Sequence, residues 1–345
     1  MSQFSTLDLA PLVTATVVEK QKLKSAVELF KGKRILILGD VGVDEYTQGE
    51  VRRISPEAPV PVLEVEKEYS VLGLAANVAN NVKTLGGEPI LLSVVGQDRG
   101  AENFKDLLRA CGVSCDYLIY DSTRPTTRKA RIMAKNHQYV RVDYESRKYL
   151  SESIESTLLK KLAEVLPSID AVILEDYAKG VITKTLVPKF VDLCKKHKKK
   201  IFVDPHSSNL ADYYKGIDLL KPNFNEAVAM SGLNFDDLRD SPVKILEIGK
   251  ALMLKTGAKE IVMTRGKDGM MIFSDDKVMQ VPTFAREVYD VAGAGDTVIS
   301  TLALGHLAGL DLVQSAMLAN YAAGVVVAQF GCVPCKKDDL LAAIS

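Results

Sequence analysis

The sequence predicts an α/β protein whose central, mostly parallel β-sheet has helices on both faces and carries a small β-sheet lid. Short, continuous apolar runs alternate with helical stretches along nearly the whole chain, a pattern typical of parallel sheets covered on both sides. Two other stretches, 46–70 and 125–145, alternate apolar and polar residues as half-exposed strands do. In such folds, ligands bind at the carboxyl ends of the parallel strands.

The apolar runs are short and are predicted to be the buried strands of the central sheet. They lie at 34–39, 90–95, 171–174, 201–203, 218–220, 261–264 and 270–273. The helical stretches between them lie at 76–85, 102–111, 182–197, 243–256, 297–308 and 312–329. Residues 1–32 are expected to form an N-terminal leader and a helix over 22–30, ahead of one large domain over 33–345.

Composition excludes several classes of protein. Lysine plus arginine and aspartate plus glutamate number 44 each, so no global field attracts the chain to nucleic acid or to a membrane surface. No apolar run reaches membrane-spanning length, and the N-terminus lacks the pattern of a secretory signal. The five cysteines are sparse and odd in number, which favours a reducing compartment, so we expect a cytoplasmic protein. Cys332 and Cys335 are interpreted as buried or incidental thiols, with a redox or metal role as the alternative.

The stretch Asp290-Val-Ala-Gly-Ala-Gly-Asp296 carries the most chemical information. It opens into an apolar helix, so its glycines and the free N–H groups of the first helical turn would form an anion site. The N–H groups of Gly293, Ala294 and Gly295 could stabilise a phosphoryl group during transfer to an alcohol. Asp296 could accept the proton of that alcohol. The alternative is that Asp296 is a helix N-cap and that the glycines shape a turn.

Polar residues also follow the first strand and open the next helix. Asp40 and Asp44 flank the turn after the first strand, where they could accept hydrogen bonds from sugar hydroxyls or cap the turn. Gly73 and Asn77 belong to a run of small residues at a helix start. Asn77 could bind a polar ligand through its amide, or the small residues could merely allow tight packing.

Two later motifs each have two interpretations. Lys221-Pro-Asn223-Phe-Asn-Glu226 follows a strand and could hold a hydrated magnesium ion beside phosphates, or form a capping box at a helix start. Thr264-Arg-Gly266-Lys-Asp-Gly269 joins two strands and could be a tight hairpin, a loop that binds a phosphate chain, or both.

Together and in this order, the motifs resemble those of the ribokinase-like (PfkB) carbohydrate kinases over about residues 33–345. The sequence is most similar to the D-glycero-β-D-manno-heptose-7-phosphate kinases. The segments that carry this likeness are 39–46, Arg53-Ile-Ser-Pro-Glu-Ala-Pro-Val-Pro-Val62, Asn136-x-Gln138-x-x-Arg141-x-Asp143, 176–180 and Asp204-Pro205.

The resemblance implies a ribokinase-like fold that uses ATP and Mg2+. It implies phosphorylation of the C1 hydroxyl of D-glycero-β-D-manno-heptose 7-phosphate to the 1,7-bisphosphate, a step of ADP-heptose and lipopolysaccharide core biosynthesis. The alternative is a ribokinase-like kinase for another sugar or sugar phosphate. A homodimer through the lid is expected, without nucleic-acid or membrane partners.

The resemblance also implies roles for individual residues. Asp296 would be the base, beside the N–H groups of Gly293, Ala294 and Gly295. The nucleotide and its magnesium ion would be bound by Asn223 and Glu226 (to the metal, through water), Thr264, Gly266 and Asn320. The sugar would be held by Asp44, Gly73 and Asn77. Its 7-phosphate would be bound by cations of the lid and body, namely Arg53, Lys129, Arg131, Arg141 and Lys179.

The chain departs from the pattern of these kinases at a few positions. Leu74 stands where a second glycine is usual and is expected to narrow the sugar side of the pocket. His206 replaces the lysine that normally follows Asp-Pro, and Cys332 and Cys335 replace hydroxyl residues near the nucleotide. No His-x-Gly-His motif occurs in the sequence, so we expect a kinase without a nucleotidyltransferase half.

Overall fold

The computed structural model describes residues 17–135, 137–233, 242–274, 277–285 and 287–345. Residues 1–16 of the expected leader, and Asn136 of the motif above, lie outside the described residues. The helices are α1 (Val17–Glu28), α2 (Ala75–Thr84), α3 (Arg99–Ala110), α4 (Glu152–Val165), α5 (Leu186–Lys196), α6 (Phe224–Ser231), α7 (Pro242–Thr256), α8 (Ala294–Leu307), α9 (Leu312–Val327) and α10 (Lys337–Ala343). The strands are β1 (Arg34–Gly39), β2 (Val41–Ile54), β3 (Pro61–Leu74), β4 (Glu88–Val95), β5 (Leu118–Tyr120), β6 (Thr127–Ala134), β7 (His137–Tyr144), β8 (Ala171–Glu175), β9 (Lys200–Asp204), β10 (Leu219–Leu220), β11 (Glu260–Thr264), β12 (Met270–Ser274) and β13 (Lys277–Val281).

The central sheet confirms the predicted fold class. Its strand order is β13-β12-β11-β10-β9-β8-β1-β4-β5. The strands from β11 to β5 in that order pair in parallel, whereas β12 and β13 are antiparallel additions at one edge. A strand lies at every predicted position. Because consecutive parallel strands need a crossover, helices cover both faces of the sheet.

The first strand shows how this layered core forms. Ile35 and Ile37 of β1 belong to one buried cluster, together with side chains of α2, α8 and α9. Leu36 and Leu38 point the other way, into a second cluster with α4, α5 and α7. Successive side chains of a strand face opposite sides of the sheet, so a continuous apolar run is required where both sides are covered.

The lid is a second sheet with the order β3-β2-β6-β7, as predicted from the two alternating stretches. Its first two strands are longer than predicted, because β2 starts directly after β1 and β3 runs into α2. The paired positions Asp44↔Lys129, Tyr46↔Arg131 and Arg131↔Arg141 place these side chains on one face. We call this the inner face, because it looks toward the carboxyl ends of the central strands. Val140, Val142 and Tyr144 are exposed and belong to the opposite, outer face.

Local differences from the prediction occur at helix ends and in short elements. The helix predicted over 182–197 begins at Leu186, and the N-terminal helix begins earlier than residue 22. Four elements, α4, α10, β5 and β13, had no counterpart in the sequence-based description. Among the described helices, none combines the length and apolar character that a membrane-spanning segment requires.

Candidate active site

The carboxyl ends of β8, β9, β10 and β11 and the start of α8 surround a cavity of about 830 Å³. The residues that line it from these ends are Glu175, Asp204, Lys221, Thr264, Gly295 and Asp296. Each of the first four ends or directly follows a strand. The cavity therefore lies where a parallel sheet places its ligands.

Asp296 is buried in this cavity and is held by two neutral donors. Its Oδ2 accepts a hydrogen bond from Asn77 Nδ2 at 2.6 Å, and its Oδ1 accepts one from the Tyr177 hydroxyl at 2.6 Å. Burial raises the pKa of Asp296 to about 6, although the bonds from Tyr177 and Asn77 oppose the rise. A carboxylate with such a pKa is ionised at neutral pH and is still a competent base. Gly293, not Asp296, is the N-cap of α8, so the N-cap interpretation of Asp296 is wrong.

Gly293 and Gly295, the two glycines beside Asp296, differ in the space around them and in backbone conformation. Gly293 has φ 77°, and a Cβ there would lie 2.8 Å from Asn77 Nδ2 and 2.9 Å from Cys332 Sγ. At Gly295 a Cβ would come no closer than 3.5 Å to Lys221 Nζ, which is an ordinary contact. Gly293 is thus needed by the fold, whereas Gly295 leaves space for a ligand. The N–H of Ala294 donates to the Val291 carbonyl at 3.3 Å and is partly engaged within the loop.

A buried acidic cluster lies next to Asp296. Carboxylate oxygens of Glu175, Asp204 and Asp296 lie within 4.8 Å of one another, and Lys221 Nζ lies 2.9 Å from Asp204 Oδ2. Burial raises the pKa of Asp204 to about 7 and that of Glu175 well above its usual value. Among the described residues, Glu175 Oε2 has no hydrogen-bond partner although it is buried. The sequence analysis gave Glu175 and Lys221 no chemical role; their only signal was a position directly after a strand.

The Pro-Asn motif starts α6 with a capping box. Asn223 Oδ1 accepts from the Glu226 N–H at 2.9 Å, and Glu226 Oε2 accepts from the Asn223 N–H at 2.8 Å. The capping-box interpretation is therefore confirmed, while the metal contact stays a prediction. Both residues line the cavity. With Glu175 and Asp204 they supply the oxygen ligands that magnesium prefers, so the donor set fits this ion.

The segment between β11 and β12 is the tight hairpin that the sequence suggested. These strands are antiparallel, and the Arg265 N–H donates to the Gly269 carbonyl at 2.8 Å. Gly266 and Gly269 have positive φ, which a short loop tolerates best at glycine. Thr264 and Gly266 line the cavity, and their contact with nucleotide phosphates stays a prediction.

Asn320 is one of the predicted nucleotide-binding residues. It is buried; its Oδ1 accepts from the Phe284 N–H at 3.0 Å, and its Nδ2 donates to the Pro282 carbonyl at 2.8 Å. Both ends of the amide thus hold the segment after β13. The position of Asn320 near the adenosine stays a prediction, because one bond at each end leaves the amide a second N–H and a second lone pair.

The residues predicted to hold the sugar fall into two groups. Asp44 and Gly73 are neighbours, since a Cβ at Gly73 would lie 2.8 Å from Asp44 Oδ2, and Asn77 contacts Asp296. Asp40, by contrast, is buried and accepts N–H groups of Tyr177, Lys179 and Val181. It fixes the loop that carries Tyr177, which favours the structural interpretation for Asp40.

Four of the five predicted phosphate-binding cations lie near one another. Arg131 pairs with Asp44 at 2.7 Å, Lys179 with Glu145 at 2.6 Å, and Arg141 with Asp143 at 2.8 Å. Lys129 Nζ lies 5.9 Å from the centre of the Tyr177 ring. Arg53 is exposed near the far end of β2, about 30 Å from Asp44 at the usual rise of a strand. Within one chain it is therefore out of reach of a sugar held at Asp44, which corrects its assignment.

The structure also shows the surroundings of the positions at which the chain departs from the kinase pattern. Leu74 has φ 58° and ψ −142°, a strained conformation usual only for glycine. Its side chain is buried, and the expected narrowing of the sugar side of the pocket stays a prediction. His206 lines the cavity. All five cysteines are free, and burial raises the pKa of both the Cys332 and the Cys335 thiol, in line with inert thiols.

A model of the "pfkB family carbohydrate kinase" group matches residues 40–339, which is most of the chain. The chain belongs to this family. Among relatives of this pfkB kinase, "Bifunctional protein HldE" of Desulfatibacillum aliphaticivorans is 41% identical over 320 residues, which are 92% of this chain and 64% of the relative. The protein of the same name from Caulobacter vibrioides is 42% identical over 305 residues, 88% of this chain and 61% of the relative. The chain thus spans less than two thirds of these relatives.

Solved structures confirm the ribokinase-like fold of this pfkB kinase. Phosphofructokinase-2 from Escherichia coli, solved with substrates and products, superposes with a TM-score of 0.73 at 17% identity and covers 90% of this chain and 98% of its own. Ribokinase of Arabidopsis thaliana, complexed with ribose and ATP, has a TM-score of 0.68 at 19% identity, with 91% and 99% covered. Family membership makes this protein a phosphotransferase that acts on a sugar hydroxyl.

Proposed function

We propose that this kinase transfers the γ-phosphoryl group of ATP to the C1 hydroxyl of D-glycero-β-D-manno-heptose 7-phosphate, giving the 1,7-bisphosphate for ADP-heptose and lipopolysaccharide core biosynthesis. The observation that carries the reaction type is the buried Asp296 at the start of α8, beside the open position at Gly295. The choice of sugar is supported by the segment 53–62 and by relatives named HldE.

In the proposed reaction, Asp296 accepts the proton of the C1 hydroxyl while that oxygen attacks the γ-phosphorus, and the bond to the ADP oxygen breaks. The N–H groups of Gly293 and Gly295, and that of Ala294 once released from Val291, stabilise the charge on the transferring group. Asn77 and Tyr177 orient the Asp296 carboxylate by one hydrogen bond to each oxygen. Thr264 and Gly266 bind the nucleotide phosphates.

Magnesium fits the oxygen donors of the cavity around and beyond the acidic cluster. Asn223 and Glu226, with Glu175 and Asp204, would hold the ion directly or through water, and the ion would neutralise charge on the nucleotide phosphates. The buried, unpartnered Glu175 Oε2 supports this assignment. Lys221 already balances one of these carboxylates through its contact with Asp204.

The lid supports the proposal of a homodimer. All eight residues of the edge strand β7 are exposed, among them Val140, Val142 and Tyr144. An exposed edge strand with apolar side chains is unusual in a protein without a partner for it. We propose that a second copy covers this strand, and that the protein, whose cysteines are all free, works in the cytoplasm.

The test is an assay of purified protein with Mg-ATP and a panel of sugar 7-, 6- and 5-phosphates and free sugars, with ADP as the readout. We expect turnover of the heptose 7-phosphate, and a new phosphate on C1 in the phosphorus NMR spectrum of the product. Asp296→Asn is the control for contaminating activity. ADP formation no faster than in that variant, for every sugar, would reject the proposal.

A second candidate is a kinase for another sugar or sugar phosphate on the same site. His206 favours it, because this residue lines the cavity where the heptose-kinase pattern has a lysine. The same panel decides between the two candidates: higher kcat/KM for another member than for the heptose 7-phosphate would favour the second.

A further inference from the structure

The inner face of the lid carries charged residues that are almost all paired with one another. Arg131 contacts Asp44 at 2.7 Å, and Arg141 contacts Asp143 through both Nε and Nη2, at 2.8 and 2.9 Å. These carboxylates, Asp44 and Asp143, are also the cross-strand neighbours of Lys129 in β2 and β7. Asp44 is paired instead with Arg131, which lies two residues after Lys129 on β6, and Asp143 is paired with Arg141, two residues before it on β7.

Within the described part of the chain, Lys129 is consequently a cation without a carboxylate partner. Among the residues that the structure describes, its only specific contact is the Tyr177 ring, 5.9 Å from Nζ to the centre. Its side chain is half-buried, and burial lowers the pKa of Lys129, a shift that Asp44 opposes and Lys179 and Arg131 increase. A desolvated, unpaired charge is unfavourable in the free protein, and an anion would relieve that cost.

The surroundings of Lys129 point to a polar ligand as well. Glu145, next to Lys179, has only 12% of its side chain exposed, and its Oε2 is buried without a hydrogen-bond partner in the described part of the chain. Its other oxygen, Oε1, accepts from Lys179 and Arg147. An unpaired cation and an unpaired acceptor under the same lid suit a ligand with both anionic and hydroxyl oxygens.

The position of Lys129 indicates which part of the substrate it reaches. The Tyr177 hydroxyl donates to Asp296, so Lys129 lies one tyrosine ring away from the proposed base. It lies on the lid side, in register with Asp44, whereas Lys221 and Lys267 line the cavity together with Thr264 and Gly266. A sugar whose reacting hydroxyl touches Asp296 would extend its far end toward Lys129.

We propose that Lys129 is the residue that recognises the phosphate of the acceptor sugar, and that it thereby sets the preference for a sugar phosphate over a free sugar. This inference rests on the proposed function. Arg131, Arg141 and Lys179 each already have a carboxylate partner that balances their charge, whereas Lys129 has none among the described residues. The arginines instead hold Asp44 and Asp143 away from Lys129.

The experiment measures binding separately from turnover. Calorimetry at pH 8 gives the Kd of the heptose 7-phosphate and of the same heptose without phosphate, for the wild type, Lys129→Ala and Lys129→Arg. We expect Lys129→Ala to weaken the phosphorylated sugar by about 10–100-fold, as for loss of a hydrogen bond to a charged group, and to leave the free sugar within about twofold. Lys129→Arg should keep most of the preference.

Arg128→Ala is the matched control. It removes a positive charge one residue away, on the outer face, where Arg128 pairs with Glu45 and covers the Tyr144 ring. It should leave both Kd values within about twofold of the wild type, because this partly exposed pair lies on the face opposite to the site. Thermal melting shows whether each variant is folded; should Lys129→Ala be unfolded, Lys129→Met replaces it.

The outcomes separate this inference from the proposed function. Equal weakening of both sugars, or of neither, by a folded Lys129 variant would overturn the inference while wild-type ADP formation still supports the kinase. Phosphate-selective binding that depends on Lys129, without ADP formation by the wild type, would support the inference and overturn the proposed reaction. A wild type that binds no sugar phosphate would overturn both.

Discussion

Charged side chains of the catalytic centre and of the lid are held by different kinds of partner. In the centre, Asp296 is buried and is oriented by neutral donors, Asn77 and Tyr177. On the lid, Arg131 is paired with Asp44 of the neighbouring strand β2, Arg141 is paired with Asp143 of its own strand, and both arginines are partly exposed. Neutral donors orient a carboxylate and leave it able to accept a proton, whereas the members of an ion pair can exchange partners when a ligand binds. We therefore expect substitutions in the centre to change kcat and substitutions in the lid to change KM.

The largest effect should come from Asp296→Asn. The variant keeps the size of the side chain but removes the base, so kcat should fall by roughly 10²–10⁴-fold. Steady-state kinetics on the best sugar measures kcat, and thermal melting should show a folded protein. Near-normal turnover in a pure preparation would contradict the role of Asp296 as base.

The next effect contrasts the two glycines of the same motif. Gly295→Ala adds a methyl group that meets only ordinary contacts in the protein, so stability should change little while the methyl group displaces the phosphoryl group. A misplacement of about 1 Å can lower kcat by roughly 10²-fold. Kinetics and denaturant unfolding on the same preparation measure both quantities.

Gly293→Ala is the matched control for this substitution. Its φ of 77° and close contacts with Asn77 and Cys332 should lower the free energy of unfolding by about 1–3 kcal/mol or more. A large loss of unfolding free energy in Gly295→Ala and a small one in Gly293→Ala would show that Gly295, not Gly293, is the position that the fold requires.

The pH dependence should show that the centre depends on one ionised carboxylate. Burial raises the pKa of Asp296 to about 6, so the ionised base is lost as the pH falls through this value. We expect kcat/KM to decrease about tenfold for each pH unit below 6. The measurement is the pH profile of kcat/KM from pH 5 to 8.

Tyr177→Phe identifies the group that titrates. The hydrogen bond from Tyr177 lowers the pKa of Asp296, so its removal should move the midpoint of the profile upward. A phosphate monoester itself titrates near pH 6, but its midpoint is the same with both enzymes. A midpoint that does not move in Tyr177→Phe would assign the titration to the substrate.

How much the sequence could predict differs between the same two regions. The strands of the body were predictable because β1, β8 and β9 are apolar runs buried on both faces, and the motif around Asp296 is local. Tyr177 was missed as a partner of Asp296, since they are 119 positions apart in the chain and only the folded sheet brings them together. The hydrogen-bond partners of Asn320 were missed for a related reason, because they lie 36 and 38 positions away.

The lid shows a second limit of sequence reasoning. The register between β6 and β7 places Arg141 on the same face as Lys129 and Arg131, but alternation along one strand could show neither this nor which of the three are already paired. Asp44 is paired across the sheet by Arg131, which spacing along one strand does not encode, and Asp143 is paired along its own strand by Arg141 although Lys129 is its cross-strand neighbour. Arg53 has the same charge and belongs to the same sheet, yet strand length separates it from the site.

The smallest effects should distinguish the two paired arginines of the lid. Arg131 has 20% of its side chain exposed and forms an ion pair with Asp44. Arg131→Ala removes this partner of Asp44, so KM should rise about tenfold for phosphorylated and free sugars alike. Arg141 has 48% of its side chain exposed, and such pairs contribute about 0–1 kcal/mol. Arg141→Ala should therefore change KM by no more than about twofold. A rise in KM for the phosphorylated sugar alone in Arg141→Ala would mean that Arg141 leaves Asp143 to bind the substrate. The phosphate would then be bound by two cations of the lid, Lys129 and Arg141.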